Sequence, residues 1–168
     1  GRPMGIPKTG VFGLYDLIGI DLMSDVVSSM RQILPEQDDF QKVGTDPELI
    51  TSLISAGYTG QKGLGGFYTE NPSGRQVREL SENDKSDIEW RDINPLPEIA
   101  KKAAKAQSEQ EEALLVLVQD NSKYGEFARS VLAHIFCYAG QLLGKITTNP
   151  QDIDDAMKLG FNWQRGPF

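Results

Sequence analysis

The sequence predicts an all-α protein. Apolar residues recur at three- and four-residue steps in several segments, no segment alternates convincingly with period two, and glycine- and proline-rich stretches separate the helical runs. The 168 residues suffice for one sizeable core, or for two small ones of about 70–100 residues each.

Taken in order, the opening from Gly1 to Gly13 is rich in glycine and proline and is expected to be non-helical. A short apolar turn, Leu14 to Ile18, leads to an amphipathic helix marked by Met23, Val26, Val27, Met30, Ile33 and Leu34 and ended by Pro35. Thr45 or Asp46 caps the next helix, with Pro47 in its first turn, Leu49, Ile50, Leu53 and Ile54 on its apolar face and Gly57 as its stop. A glycine-rich loop runs from Gly60 to Tyr68. The polar stretch from Thr69 to Asn94 reads as a connector, with a short extended piece around Gly66-Phe67-Tyr68. Helices are expected over 95–106 and 109–118. The longest helix, about 123–145, carries an inner stripe from Tyr124 to Ile146. Between Val131 and Ala139 it is apolar nearly all round, which predicts burial on several sides. A last helix, 150–159, is capped by Thr148 or Asn149.

The net charge of -7 argues against nucleic acid or an anionic membrane as a partner. Lys101, Lys102 and Lys105 stand at helical spacing and read as a solvated face. No run approaches the roughly 18–20 apolar residues of a membrane span. The single cysteine, Cys137, permits no intramolecular disulfide and fits a reducing, cytoplasmic setting. The loop triplets Gly10-Val11-Phe12 and Gly166-Pro167-Phe168 suggest a tandem of helical units, truncated at both ends. Residues 1–70 form a first repeat lacking its leading helices, 71–122 a polar connector with helices, and 123–168 a second repeat lacking its trailing helices.

No complete active site is visible. Gly60 to Gly66 fits neither the dinucleotide fingerprint nor the P-loop, and reads as a structural turn. His134 has Ser130, Tyr138 and Gln141 at helical spacing but no carboxylate to orient it. Cys137 reads as a small buried core residue rather than a nucleophile. Asp152, Asp154 and Asp155 read as acids of a helix first turn rather than calcium ligands, and no zinc spacing occurs.

The segment from Gly10 to Asp21, with Phe12, Asp16 and Gly19, resembles the G-P-F-E-L-x-D-x-x-G-L-D segment of the 3-hydroxyacyl-CoA dehydrogenase C-terminal domain; Val11 and Gly13 replace its proline and glutamate. Gly60, Lys62, Gly65, Gly66, Phe67 and Tyr68 resemble the family's G-x-K-x-G-x-G-F-Y loop. The run from Ile153 through Gly160 to Gly166, Pro167 and Phe168 is similar to the second copy found in multifunctional fatty-acid oxidation proteins. The resemblance implies a bundle like the C-terminal domain of 6-phosphogluconate dehydrogenase. It also implies a parent enzyme that passes hydride from a 3-hydroxyacyl-CoA to NAD. A Rossmann domain of that parent would supply the cofactor loop and catalytic pair, and the helical part would close the acyl-CoA site and form a homodimer. The family's catalytic histidine and supporting asparagine have no counterpart here, so catalytic, cofactor and metal residues are expected to be none, and this chain alone is expected to bind no NAD. The motif residues are expected on the structural or substrate side. The alternative reading is a non-catalytic helical assembly module.

Overall fold

The computed structural model describes residues 4–45, 47–79, 89–106 and 110–168. The chain divides into two compact units, Thr9–Asn94 and Pro95–Phe168, the latter joined by the N-terminal residues up to Lys8.

In the first of these, α1 (Gly10–Ile18) and α2 (Ile20–Ile33) are separated by Gly19, whose φ of 118° only glycine adopts freely and whose N–H returns to Tyr15 O. The non-helical opening is thus shorter than expected, because Gly10 to Gly13 already belong to α1. α2 gives way to extended backbone at Leu34, as the following Pro35 requires. After α3 (Phe40–Val43), α4 (Glu48–Ser55) starts at Pro47 with no side-chain cap. Thr45 therefore does not cap it, and Asp46 lies outside the described residues. Ile20, Ile50, Leu53 and Phe67 form the core of this unit, with Tyr15, Ile54, Tyr58 and Tyr68 packed against them.

The fold is mostly helical, but the all-α expectation needs correction. The polar connector contains an antiparallel sheet in the order β1 (Tyr68–Asn71), β2 (Gly74–Arg78), β3 (Trp90–Asp92). Tyr68 pairs with Val77 and Asn71 with Gly74, while Arg78 pairs with Trp90. Both faces carry polar side chains, so no apolar alternation betrays the strands. Cross-strand bonds supply the specificity instead: Asn71 Nδ2 to Gln76 Oε1 (2.8 Å), Gln76 Nε2 to Asp92 Oδ1 (3.0 Å) and the Arg91–Glu79 ion pair (2.5 Å).

The second unit contains α5 (Glu98–Lys105), α6 (Gln110–Val118), α7 (Lys123–Leu142) and α8 (Pro150–Phe161). Ala103, Leu117 and Ala128 form its innermost cluster, with Met4, Ile99 and Val116 against it. Lys101, Lys102 and Lys105 are exposed on α5. Ser122 caps α7 at Tyr124 N, and Arg129 Nη1 donates to Val118 O and Asp120 O, both at 2.7 Å, which satisfies carbonyls at the end of α6. α7 buries Gly125, Ala128, Leu132 and Ala139 along one face only. The expected burial on several sides is not found: Ala133, His134, Phe136 and Cys137 are exposed. Cys137 is therefore not a core residue. Asn149 caps α8 through Gln151 N, and Asn162 closes it in the left-handed conformation.

Candidate functional site

Part of the motif in the 9–94 unit, Gly60, Gly66, Phe67 and Tyr68, converges on Asp16. This carboxylate projects from α1 and is 5% exposed. Its Oδ1 accepts from Phe67 N at 2.7 Å and its Oδ2 from Tyr68 N at 2.8 Å. One side chain thus satisfies two consecutive amides that begin the first strand, and the charge strengthens both bonds. The backbone carbonyl of Asp16 also accepts from Gln61 N at 2.9 Å. The glycines are required sterically. A Cβ on Gly66 would overlap the Asp16 carboxylate, and one on Gly60 would meet the Asp16 backbone. Gly60 N donates to Gly65 O at 2.8 Å and closes the loop on itself.

The opposite side of the loop is held by Arg78 of β2. Its Nε donates to Gly66 O at 3.0 Å, and its guanidinium lies over the rings of Tyr58 and Trp90 at 4.4 and 5.1 Å. Burial lowers the pKa of this guanidinium, with Tyr58 and Asp16 opposing the shift. Lys62 reaches back to α2, its Nζ 2.7 Å from Asp21 Oδ1. The hydrogen bond from Lys62 holds the Asp21 carboxyl below its ordinary range. Gly19 leaves room for that lysine, since a Cβ there would meet Lys62 Cε and Nζ at 2.7 Å. Phe12 is half-exposed and rests on Phe67, ring centroids 4.7 Å apart. Gly10, at φ 71°, opens α1 and has no neighbour that a Cβ would touch.

Gly166, Pro167 and Phe168 belong to the other unit and show a parallel arrangement. Asp154 of α8 is 7% exposed and its Oδ1 accepts from Phe168 N at 3.0 Å. A Cβ on Gly166 would overlap the Asp154 carboxylate. Sequence reasoning missed Asp154, reading it only as a first-turn acid. Its signal was its place on the face of α8 that also carries Ile153 and Met157. Arg78 was missed as well, and a lone arginine in a polar stretch gives no signal.

The remaining polar candidates are peripheral. His134 is exposed on α7, its Nδ1 2.7 Å from Ser130 O. Asp152 receives Thr147 Oγ1 and Asn149 Nδ2 and organises the start of α8. The Gly60–Gly66 loop does not fit a dinucleotide. The amides of Gln61, Gly63 and Leu64 are spent on Asp16, Gly60 and Gly57 carbonyls, and a strand rather than a helix N-terminus follows. Among the described residues no helix is long and apolar enough to cross a membrane.

Residues 2–70 match the family model of the 3-hydroxyacyl-CoA dehydrogenase C-terminal domain. The chain is 34% identical over 168 residues to a Rickettsia prowazekii protein named as a fatty acid oxidation complex trifunctional enzyme, covering 99% of this chain and 22% of that protein. A Rickettsia felis protein of the same name is 34% identical over 98% of this chain and 21% of its own length. A Bacillus subtilis protein named 3-hydroxyacyl-CoA dehydrogenase is 27% identical over 100% of this chain and 20% of its own. The chain thus spans about a fifth of the length of the relatives it matches. No solved structure matches it. The loop held by Asp16 lies inside the matched segment, residues 2–70, which is similar to the 3-hydroxyacyl-CoA dehydrogenase C-terminal domain.

Proposed function

We propose that this chain is the C-terminal helical part of an NAD-dependent 3-hydroxyacyl-CoA dehydrogenase of fatty-acid β-oxidation. It contributes to closing the acyl-CoA site and to homodimerisation, and hydride transfer belongs to a Rossmann domain of the parent enzyme. The supporting observation is that both family loops of the 2–70 match are tied by the single carboxylate of Asp16. In this reading the chain alone binds no NAD. The two carboxylate-held loops mark successive copies of a bundle of the 6-phosphogluconate dehydrogenase C-terminal type, working in a reducing, cytoplasmic setting. Exposed apolar side chains on α1 and α2, among them Val11, Leu17 and Ile33, support a docking role for these helices.

A chimera tests the reading. The matching segment of the Rickettsia prowazekii relative is replaced by this chain, and NADH formation from 3-hydroxybutyryl-CoA is followed. The expected outcome is activity in the chimera, its loss in the Asp16→Ala chimera, and none from the isolated chain. An inactive but folded chimera, or NADH formed by the isolated chain, would overturn the proposal. Sedimentation of the chimera addresses assembly, and a strict monomer at high micromolar concentration would refute the homodimer.

A further inference from the structure

A groove of about 430 Å³ opens within the 95–168 unit. That volume falls in the range of small-ligand sites. At about 30 Å³ per heavy atom, the liquid-like share of a water, it holds on the order of ten to fourteen heavy atoms. Three aromatic rings line it, Phe136 of α7 and Trp163 and Phe168 of the segment after α8. Rings that pack together settle offset or edge-to-face, with centroids about 4.5–7 Å apart. Among the described residues such pairs join Phe67 to Phe12 and to Tyr15, and none involves a ring of the groove. Phe136 and Phe168 are each about half exposed. The groove therefore offers unpaired ring surface to a planar guest.

The charges around the groove select a neutral guest. Lys158 Nζ lies 3.9 Å from Asp154 Oδ2 and 4.0 Å from Asp155 Oδ1, so one ammonium is shared by two carboxylates. Arg165 also lines the groove and is already engaged by a neighbour. An anion here meets the two carboxylates, and a cation meets Lys158 and Arg165. The buried Asp154 still offers a polar handle. Its Oδ1 accepts from Phe168 N at 3.0 Å, while its Oδ2 is too far from Lys158 Nζ for a hydrogen bond. An oxygen about 2.8 Å from each bridges that gap. It must donate to the carboxylate and accept from the ammonium. A hydroxyl does both, whereas an ether or a carboxylate only accepts. Water has the same capacity, but a hydroxyl on a planar ring fills the place and covers the rings as well.

We propose that this groove binds a neutral phenol, its ring against Phe136, Trp163 and Phe168 and its hydroxyl bridging Asp154 Oδ2 and Lys158 Nζ. The proposal does not rest on the dehydrogenase reading. It concerns a different unit from the Asp16 loop and is tested by binding alone, so the failure of either leaves the other standing.

The experiment is a titration of the full, 15N-labelled chain with 4-propylphenol, followed by amide and indole shifts. Three relatives of similar size are run beside it: 4-propylanisole, which cannot donate, 4-propylcyclohexanol, which is not planar, and 4-propylbenzoate, which is an anion. The phenol is expected to saturate, with the largest shifts at the Trp163 indole and the Gly166 and Phe168 amides. It should bind at least fivefold tighter than the anisole and the cyclohexanol, and at least tenfold tighter than the benzoate. Lys158→Met should weaken the phenol about fivefold, and Lys158→Arg, which keeps a donor, should weaken it less. Phe136→Ala should weaken phenol and anisole alike, and Lys102→Met, on exposed α5, should change neither. The comparison of the four compounds is made on the unaltered chain, so it decides even where a variant folds poorly. Lack of saturation, an anisole, cyclohexanol or benzoate that binds as tightly as the phenol, shifts outside the groove only, or a folded Lys158→Met variant with unchanged affinity would each overturn the proposal.

Discussion

Replacing Asp16 with alanine should be among the most damaging single changes in the 9–94 unit. The variant removes the acceptor for Phe67 N and Tyr68 N, which it binds at 2.7 and 2.8 Å. Phe67 is buried and Tyr68 half-buried, so water replaces the lost acceptor poorly at the first amide and better at the second. Hydrogen bonds to a charged group contribute about 1.5–3 kcal/mol each. The expected loss is therefore about 3–5 kcal/mol, against a typical domain stability of about 5–15 kcal/mol. Asp16→Asn keeps one acceptor oxygen but turns an NH2 group toward the other amide, so its cost should be smaller, about 2–3 kcal/mol. Urea unfolding followed by circular dichroism measures both. Native-state hydrogen exchange localises the effect, because the Phe67 and Tyr68 amides should lose protection ahead of the α4 amides. A loss below about 1 kcal/mol for Asp16→Ala, or an Asn variant as stable as the parent, would refute the reasoning.

Gly66→Ala should cost about 3 kcal/mol, because the new methyl overlaps a buried carboxylate. Gly74→Ala at φ 127° meets no atom and should cost only its backbone strain, about 1–2 kcal/mol; urea midpoints give the ranking. Leu132→Ala should cost about 2–4 kcal/mol and the half-buried Ile135→Ala less, and a thermal melt showing the reverse order would contradict the one-sided burial of α7. The Asp21 carboxyl is held below its ordinary range by Lys62, so its stabilising contribution is present above the unfolded carboxylate pKa of about 4 and is lost as pH falls through the folded value. Asp21→Asn should accordingly flatten the acid limb of the stability profile measured by urea midpoints between about pH 2 and 5. An acid limb as steep as the parent's would show that the ion pair contributes nothing to folding.

The helices were legible because their apolar residues repeat at three and four positions and their ends carry recognisable signals. Pro35 stops α2, Asn149 caps α8 and Pro150 starts it. Of the sheet only an extended piece near Tyr68 was legible; β2 and β3 were not, because they are held by ladder bonds and by polar pairs such as Gln76–Asp92 rather than by an apolar face. Periodicity also cannot report how many sides of a helix are covered. Val131 to Ala139 is apolar nearly all round, yet only Leu132 and Ala139 within it are buried, so Phe136 and Cys137 face outward. At the candidate site, Asp16 stood out through the motif around it. Arg78 did not, since a buried arginine stacked between Tyr58 and Trp90 looks in sequence like any surface arginine.

The two buried aspartates explain why the loop motifs take the form they do. A turn that brings backbone amides inward, two at Asp16 and one at Asp154, leaves donors that must be satisfied, and a carboxylate on an adjacent helix can satisfy them at little entropic cost. The carboxylate has to approach the backbone closely, so a residue one or two positions ahead of the bonded amide can carry no Cβ. This is the position of Gly66 before Phe67, and of Gly166 before Pro167 and Phe168. The aspartate lies 51 residues before its aromatic partner in one unit and 14 in the other. What recurs is therefore a local chemical arrangement of helix carboxylate, bare glycine and aromatic amide, rather than a fixed spacing along the chain. A search for further copies should look for that triad in three dimensions, and the glycine should tolerate substitution only when the aspartate is shortened to a residue that withdraws its oxygens. Gly66→Ala combined with Asp16→Ser should therefore cost less than the sum of the two single changes, as urea unfolding of the three variants would show.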